Sequence, residues 1–127
     1  MDCKELYSFE KLVVYQKARM LLITVYKLLN KFPVEEKFAL CDQIRRSIVS
    51  VPSNIAEQSG RNSLKEKIHF IEIAFGSLME CYCQLQLAYD LGYLKESELN
   101  EIKPCFFDIS RLLSGLKKSY QPDLHSN

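Results

Sequence analysis

Apolar residues recur three and four positions apart in four separate stretches of this chain, and no other feature constrains its fold as tightly. Residues at that spacing lie on one side of an α-helix, so each stretch is a helix with an apolar seam. The first helix is predicted over 8–31, with Ser8 as its N-cap. Its seam is Val14, Ala18, Leu21, Val25, Leu28 and Phe32, and Phe32-Pro33 ends it because a residue before proline leaves the α region. The second is predicted over 35–60, with Glu35 and Glu36 at the positive end of the helix dipole and Gly60 closing it. Its seam is Cys41, Ile44, Ile48, Val51 and Ile55. Pro52 lies inside and must break or bend the helix. The seam keeps its register across it, which predicts a kink.

The third helix is predicted over 63–91. Ser63 and Glu66 have the spacing of a capping box, and Leu91-Gly92 supplies the stop. Its seam is Leu64, Ile68, Ile71, Phe75, Leu78, Tyr82, Leu85 and Tyr89. The fourth, over 97–119, carries Leu99, Ile102, Phe106, Ile109, Leu113, Leu116 and Tyr120, with Pro104 as an early flaw. The polar tail 121–127 is expected to be disordered. Short connections make neighbouring helices antiparallel, so the expected fold is all-α: a single domain over 1–127, an up-down-up-down four-helix bundle.

Two helices carry more apolar residues than one seam uses. The first adds Leu12, Val13, Leu22, Ile23, Tyr26 and Leu29, and the third adds Phe70, Ile73, Met79 and Leu87. A thick core and a second face packed on another subunit both account for them.

Composition excludes several classes. With 47% hydrophobic and 26% charged residues, the chain has the balance of a globular protein. A formal net charge of +1 lacks the basic excess of an avid nucleic-acid binder. No run approaches the length of a membrane span, and the opening Met1-Asp2-Cys3-Lys4-Glu5 is not a signal peptide, so a cytoplasmic protein is expected. The five cysteines are Cys3, Cys41, Cys81, Cys83 and Cys105. They are odd in number and scattered, which fits neither a disulfide framework nor a structural zinc site.

The chemical candidates are few. Glu66-x-x-His69 has the spacing of a di-iron bundle ligand pair, but that design needs two such motifs. Cys81-x-Cys83 puts its thiols about 200° apart around a helix, too far to share an ion. Ser47, Ser50, Ser53, Ser59 and Ser77 lack a nucleophile-elbow context. Glu57 and Glu80 would have to meet across helices to act as an acid–base pair. No catalytic residue, metal ligand or cofactor is therefore predicted. Arg45, Arg46, Arg61 and Lys65, with Lys67 nearby, are the candidate phosphate contacts, diluted by Glu57 and Glu66.

Several runs carry a family resemblance. They are Phe9-Glu10-Lys11-Leu12 with Tyr15-Gln16-Lys17-Ala18, Gln43-Ile44-Arg45-Arg46-Ser47, Ser50-Val51-Pro52-Ser53-Asn54-Ile55-Ala56-Glu57, Gly60-Arg61, Ile73-Ala74-Phe75-Gly76-Ser77-Leu78-Met79-Glu80 and Leu91-Gly92-Tyr93-Leu94. Over roughly residues 7 to 119 the chain resembles the four-helix bundle family of the bacterial 23S ribosomal RNA intervening-sequence protein, itself similar to the accessory protein of diversity-generating retroelements. The resemblance implies a non-enzymatic cytoplasmic bacterial protein that forms homopentamers, a scaffold or binding module whose partners are its own copies and a protein or RNA. An RNA- or DNA-binding accessory factor is the alternative. The family's polar signature falls on Ser50, Asn54, Glu57, Arg61, Ser77 and Glu80, expected to form a network between helices 2 and 3 or at a subunit contact. Gln58 stands where the family usually has glycine.

Overall fold

The computed structural model describes residues 7–121. The disorder expected of the tail falls, beyond Gln121, outside those residues. The described chain is all-helical, with α1 at Val13–Leu29, α2 at Leu40–Ser59, α3 at Leu64–Asp90 and α4 at Glu96–Tyr120. Each helix packs on two neighbours: α1 on α2 and α4, and α3 on α2 and α4. Cross-helix pairs fix their directions. Ser47 meets Gln84 while Ser50 meets Ser77, Glu72 meets Lys117 while Tyr82 meets Phe106, and Lys17 meets Asp108 while Lys31 meets Glu98. In each case numbering rises on one helix as it falls on the other, so α2, α3, α4 and α1 are successively antiparallel.

The buried stripes explain the helices. On α2, Cys41, Ile44, Ile48, Val51 and Ile55 are all buried, and α2 runs unbroken through Pro52, itself buried. The break that proline allows does not occur. On α4, Leu99, Ile102, Phe106, Ile109 and Leu113 are buried, and the helix passes through Pro104. On α1 the last buried position is Leu29, with Leu28 only partly covered. The α3 core is turned by about one residue. Its buried residues include Ala74, Cys81 and Ala88, whereas Phe75 and Tyr82 flank the core, and Leu64 and Tyr89 are exposed. The α2–α3 contact is the most extensive in the bundle, and small side chains are what a close helix approach requires.

Two starts differ from the periodicity. Ser8 opens only a single 3-10 turn, Ser8–Lys11, and Leu12 is extended before α1 begins. The Glu10 carboxylate accepts the Tyr7 amide at 2.9 Å and the Glu10 carbonyl accepts Gln16 Nε2 at 3.0 Å, which ties that turn off. Glu35 and Glu36 sit in a second 3-10 turn, Val34–Glu36, and α2 starts only at Leu40. Glu36 is held elsewhere: Tyr93 Oη donates to its carboxylate at 2.8 Å, and the Tyr93 ring lies 5.5 Å from the buried Phe32. At the α3 start, the Ser63 hydroxyl accepts the Glu66 amide at 3.1 Å. Gly92, at φ 83°, makes the left-handed turn that ends α3.

The Tyr93–Glu36 bond joins the two connections at one end of the bundle. Donation to Glu36 raises the Tyr93 hydroxyl above its ordinary value of 10.0. A raised folded-state value stabilises the fold below the unfolded value, and that contribution is lost as pH rises through the raised one. Tyr93→Phe should therefore lower Tm at neutral pH, and the gap from wild type should close above pH 10, as thermal melts at both pH values would read.

Candidate functional site

The polar residues of the α2–α3 interface form two hydrogen-bonded groups. In the first, Ser50 Oγ and Ser77 Oγ lie 2.7 Å apart, and Asn54 Nδ2 donates to the Ser50 carbonyl at 2.8 Å and to its hydroxyl at 2.9 Å. All three are half-buried. In the second, two turns along α3, the buried Ser47 hydroxyl donates to Gln84 Oε1 at 2.8 Å and shares its hydrogen with the Ile44 carbonyl at 3.0 Å. Cys81 stands beside Ser47, and burial pushes its thiol up to about 12, so it is neutral and unreactive. Sequence reasoning missed Gln84, because a glutamine reads as solvent-facing. The signal was its place seven residues after Ser77 and three after Cys81.

Glu57 and Glu80 are exposed. Glu57 pairs with Arg61 one turn on, and the Arg61 guanidinium lies 4.7 Å over the Phe70 ring. Arg46 pairs with Asp42 at 3.2 Å, and Arg45 donates to the Lys37 carbonyl at 3.1 Å. Lys65 is exposed at the start of α3. The four basic candidates are thus two pairs at opposite ends of α2, about 20 Å apart at 1.5 Å per residue. Lys67, also near that turn, donates to the Gln58 and Ser59 carbonyls at 3.1 and 3.4 Å, where it caps the negative end of α2.

His69 is exposed with its ring 5.4 Å from that of Phe70. Among the described residues, no group of three or more His, Cys, Asp or Glu side chains is placed to hold a metal ion, and no helix is long and apolar enough to cross a membrane.

The outer surface carries several grooves, among them two that differ in their lining. One, of about 600 Å³ between α3 and α4, is apolar and is lined by Phe75, Met79, Tyr82, Pro104, Phe106 and Phe107, with Lys103 and Ser110 at its edge. The other, of about 560 Å³ between α1 and α2, is lined by Tyr26 and Val49 together with Asp42, Arg45, Arg46, Ser50, Ser53 and Asn54. Met20, 69% exposed on α1, and Phe38, 86% exposed between α1 and α2, stand outside both, while Phe107, 65% exposed on α4, lines the apolar groove.

A family model described as 23S rRNA-intervening sequence protein matches residues 10–115. The chain is also similar to a solved protein of unknown function from the S23 ribosomal protein family of Bacteroides thetaiotaomicron VPI-5482. The two share 26% identity, with 84% of this chain and 96% of that one covered and a TM-score of 0.77. No curated protein matches the chain.

Proposed function

Because the chain belongs to the 23S rRNA-intervening sequence protein family, we propose that it is a non-enzymatic, cytoplasmic scaffold subunit that assembles with its own copies into a ring of five. The observation that carries this reading is the apolar surface outside the core. Val13, Met20 and Ile23 on α1, and Ile73, Met79 and Leu87 on α3, are exposed although the bundle core is already filled by other residues of the same helices. Apolar side chains in excess of one core mark a surface that another molecule covers.

The non-enzymatic part rests on the nucleophile candidates. Ser47 and Ser59 give their hydrogens to the Ile44 and Ala56 carbonyls, Ser50 and Ser77 bond to one another, and Cys81 is held neutral. None of these bonds offers the general base that an activated nucleophile requires.

Sedimentation equilibrium or light scattering tests the assembly. A ring of five is expected at about 74 kDa, five times the 14.8 kDa chain. A mass of 14.8 kDa at working concentration would overturn the reading.

A further inference from the structure

We infer that the contact between copies is heterologous, with the outer face of α1 on one copy lying against the outer face of α3 on the next. The inference rests on the self-association reading and names the surfaces that would carry it. Both helices bear a second stripe at three- and four-residue spacing, opposite the one that fills the core. On α1 it is Val13, Gln16, Met20, Ile23 and Lys27, all exposed. On α3 it is Ile73, Gly76, Glu80, Cys83, Leu87 and Asp90, all exposed. Stripes of this spacing are the seams by which helices pack on helices.

Charge matches the two. From Val13 to Leu29, α1 carries Lys17, Arg19 and Lys27 and no acid. From Ile68 to Asp90, α3 carries Glu72, Glu80 and Asp90 and no lysine or arginine. Within a subunit α1 and α3 stand diagonally across the bundle with their outer faces turned apart, so this complementarity is unused there. Lys17 and Glu72 each pair with α4, which leaves Arg19 and Lys27 to face Glu80 and Asp90 across a contact between copies.

Gly76 is the third observation. A glycine inside a helix destabilises it relative to alanine. Here a Cβ would meet nothing of its own chain within 4 Å, so no neighbour in the subunit requires its absence. A helix of a second copy, approaching closely at the middle of the α3 stripe, does. Since the two faces lie on opposite sides of one subunit, each copy gives its α1 face to one neighbour and its α3 face to another. Such contacts are head-to-tail: they do not make a two-fold dimer, and they close into a ring when the rotation from copy to copy returns to its start.

Mixing two blocked variants tests the pairing. Ile23→Glu sets an acid against the acidic α3 face. Gly76→Arg fills the α3 stripe with bulk and the wrong charge. Both positions are exposed and both new residues are good helix formers, so the subunit keeps its fold, which circular dichroism checks. Each variant alone is expected to sediment at 14.8 kDa. Mixed, the intact α3 face of Ile23→Glu meets the intact α1 face of Gly76→Arg, and a species of about 30 kDa, twice the chain mass, appears. Met20→Glu and Leu87→Arg repeat the test at a second position on each stripe. A single variant that keeps the wild-type mass or dimerises alone overturns the pairing, as does a mixture that stays monomeric. A wild-type mass of 14.8 kDa overturns instead the self-association reading beneath it.

Discussion

Replacing Gln58 with methionine should stabilise the protein, by about 1–2 kcal/mol and roughly 4–8 °C in Tm. Gln58 is fully buried at the end of α2, and neither its amide nitrogen nor its carbonyl oxygen has a hydrogen-bond partner. Burying an amide that makes no bond costs about 1–3 kcal/mol, which an apolar side chain of similar length does not incur. Methionine keeps the volume and adapts its shape, so little packing is lost. Gln58→Ala removes the same amide but leaves a void, and the two effects offset. Gln58→Glu places a carboxylate there and should lower Tm at neutral pH more than any other change at this site. Melts of the three variants and wild type at one protein concentration give the order Met, wild type, Glu. A methionine variant that melts below wild type would show that the amide is satisfied in solution.

Position 58 also shows where sequence reading ran out. The resemblance places glycine there, which has no side chain to satisfy, and the seam of α2 runs Ile48, Val51, Ile55 and then Gln58 at the next buried place. A glutamine at that spacing reads as the first solvent-facing residue, yet the structure buries it. The α2 and α4 seams were legible because large apolar residues occupy them at regular spacing. On α3 the same reasoning chose Phe75, Tyr82 and Tyr89 over Ala74, Cys81 and Ala88. Periodicity weighs apolarity and is blind to size, and α2 lies too close to α3 for aromatic rings to stand between them. The late start of α2 was not legible for a different reason. It depends on Tyr93 holding Glu36 across 57 positions of chain, a contact that no local pattern encodes. In the candidate site, the signature residues Ser50, Asn54 and Ser77 could be singled out through the resemblance, whereas Gln84 could be found only once the turn of α3 was known.

Ser47→Ala should destabilise the protein by about 1–3 kcal/mol, while Gln84→Met at the other end of the same hydrogen bond should cost less than about 1 kcal/mol. The asymmetry follows from what each change leaves behind. Without the Ser47 hydroxyl, Gln84 Oε1 loses its donor in a residue only 7% exposed. Without the Gln84 amide, Ser47 still gives its hydrogen to the Ile44 carbonyl at 3.0 Å. The double variant Ser47→Ala, Gln84→Met leaves no orphaned group and should recover most of the loss, so the cycle gives a coupling of about 1 kcal/mol or more. Denaturant midpoints of the four proteins at one concentration measure it, and losses that simply add would mean the pair is not coupled. The same bond has a consequence beyond stability. With Ser50–Ser77 it fixes how α3 is turned against α2, and a helix rotated by one residue moves its side chains about 100° around the axis. Loosening that register swings Gly76 and Leu87 off the outer face. A Ser47→Ala protein that remains folded should therefore also associate more weakly, although residue 47 is buried and touches no outer surface.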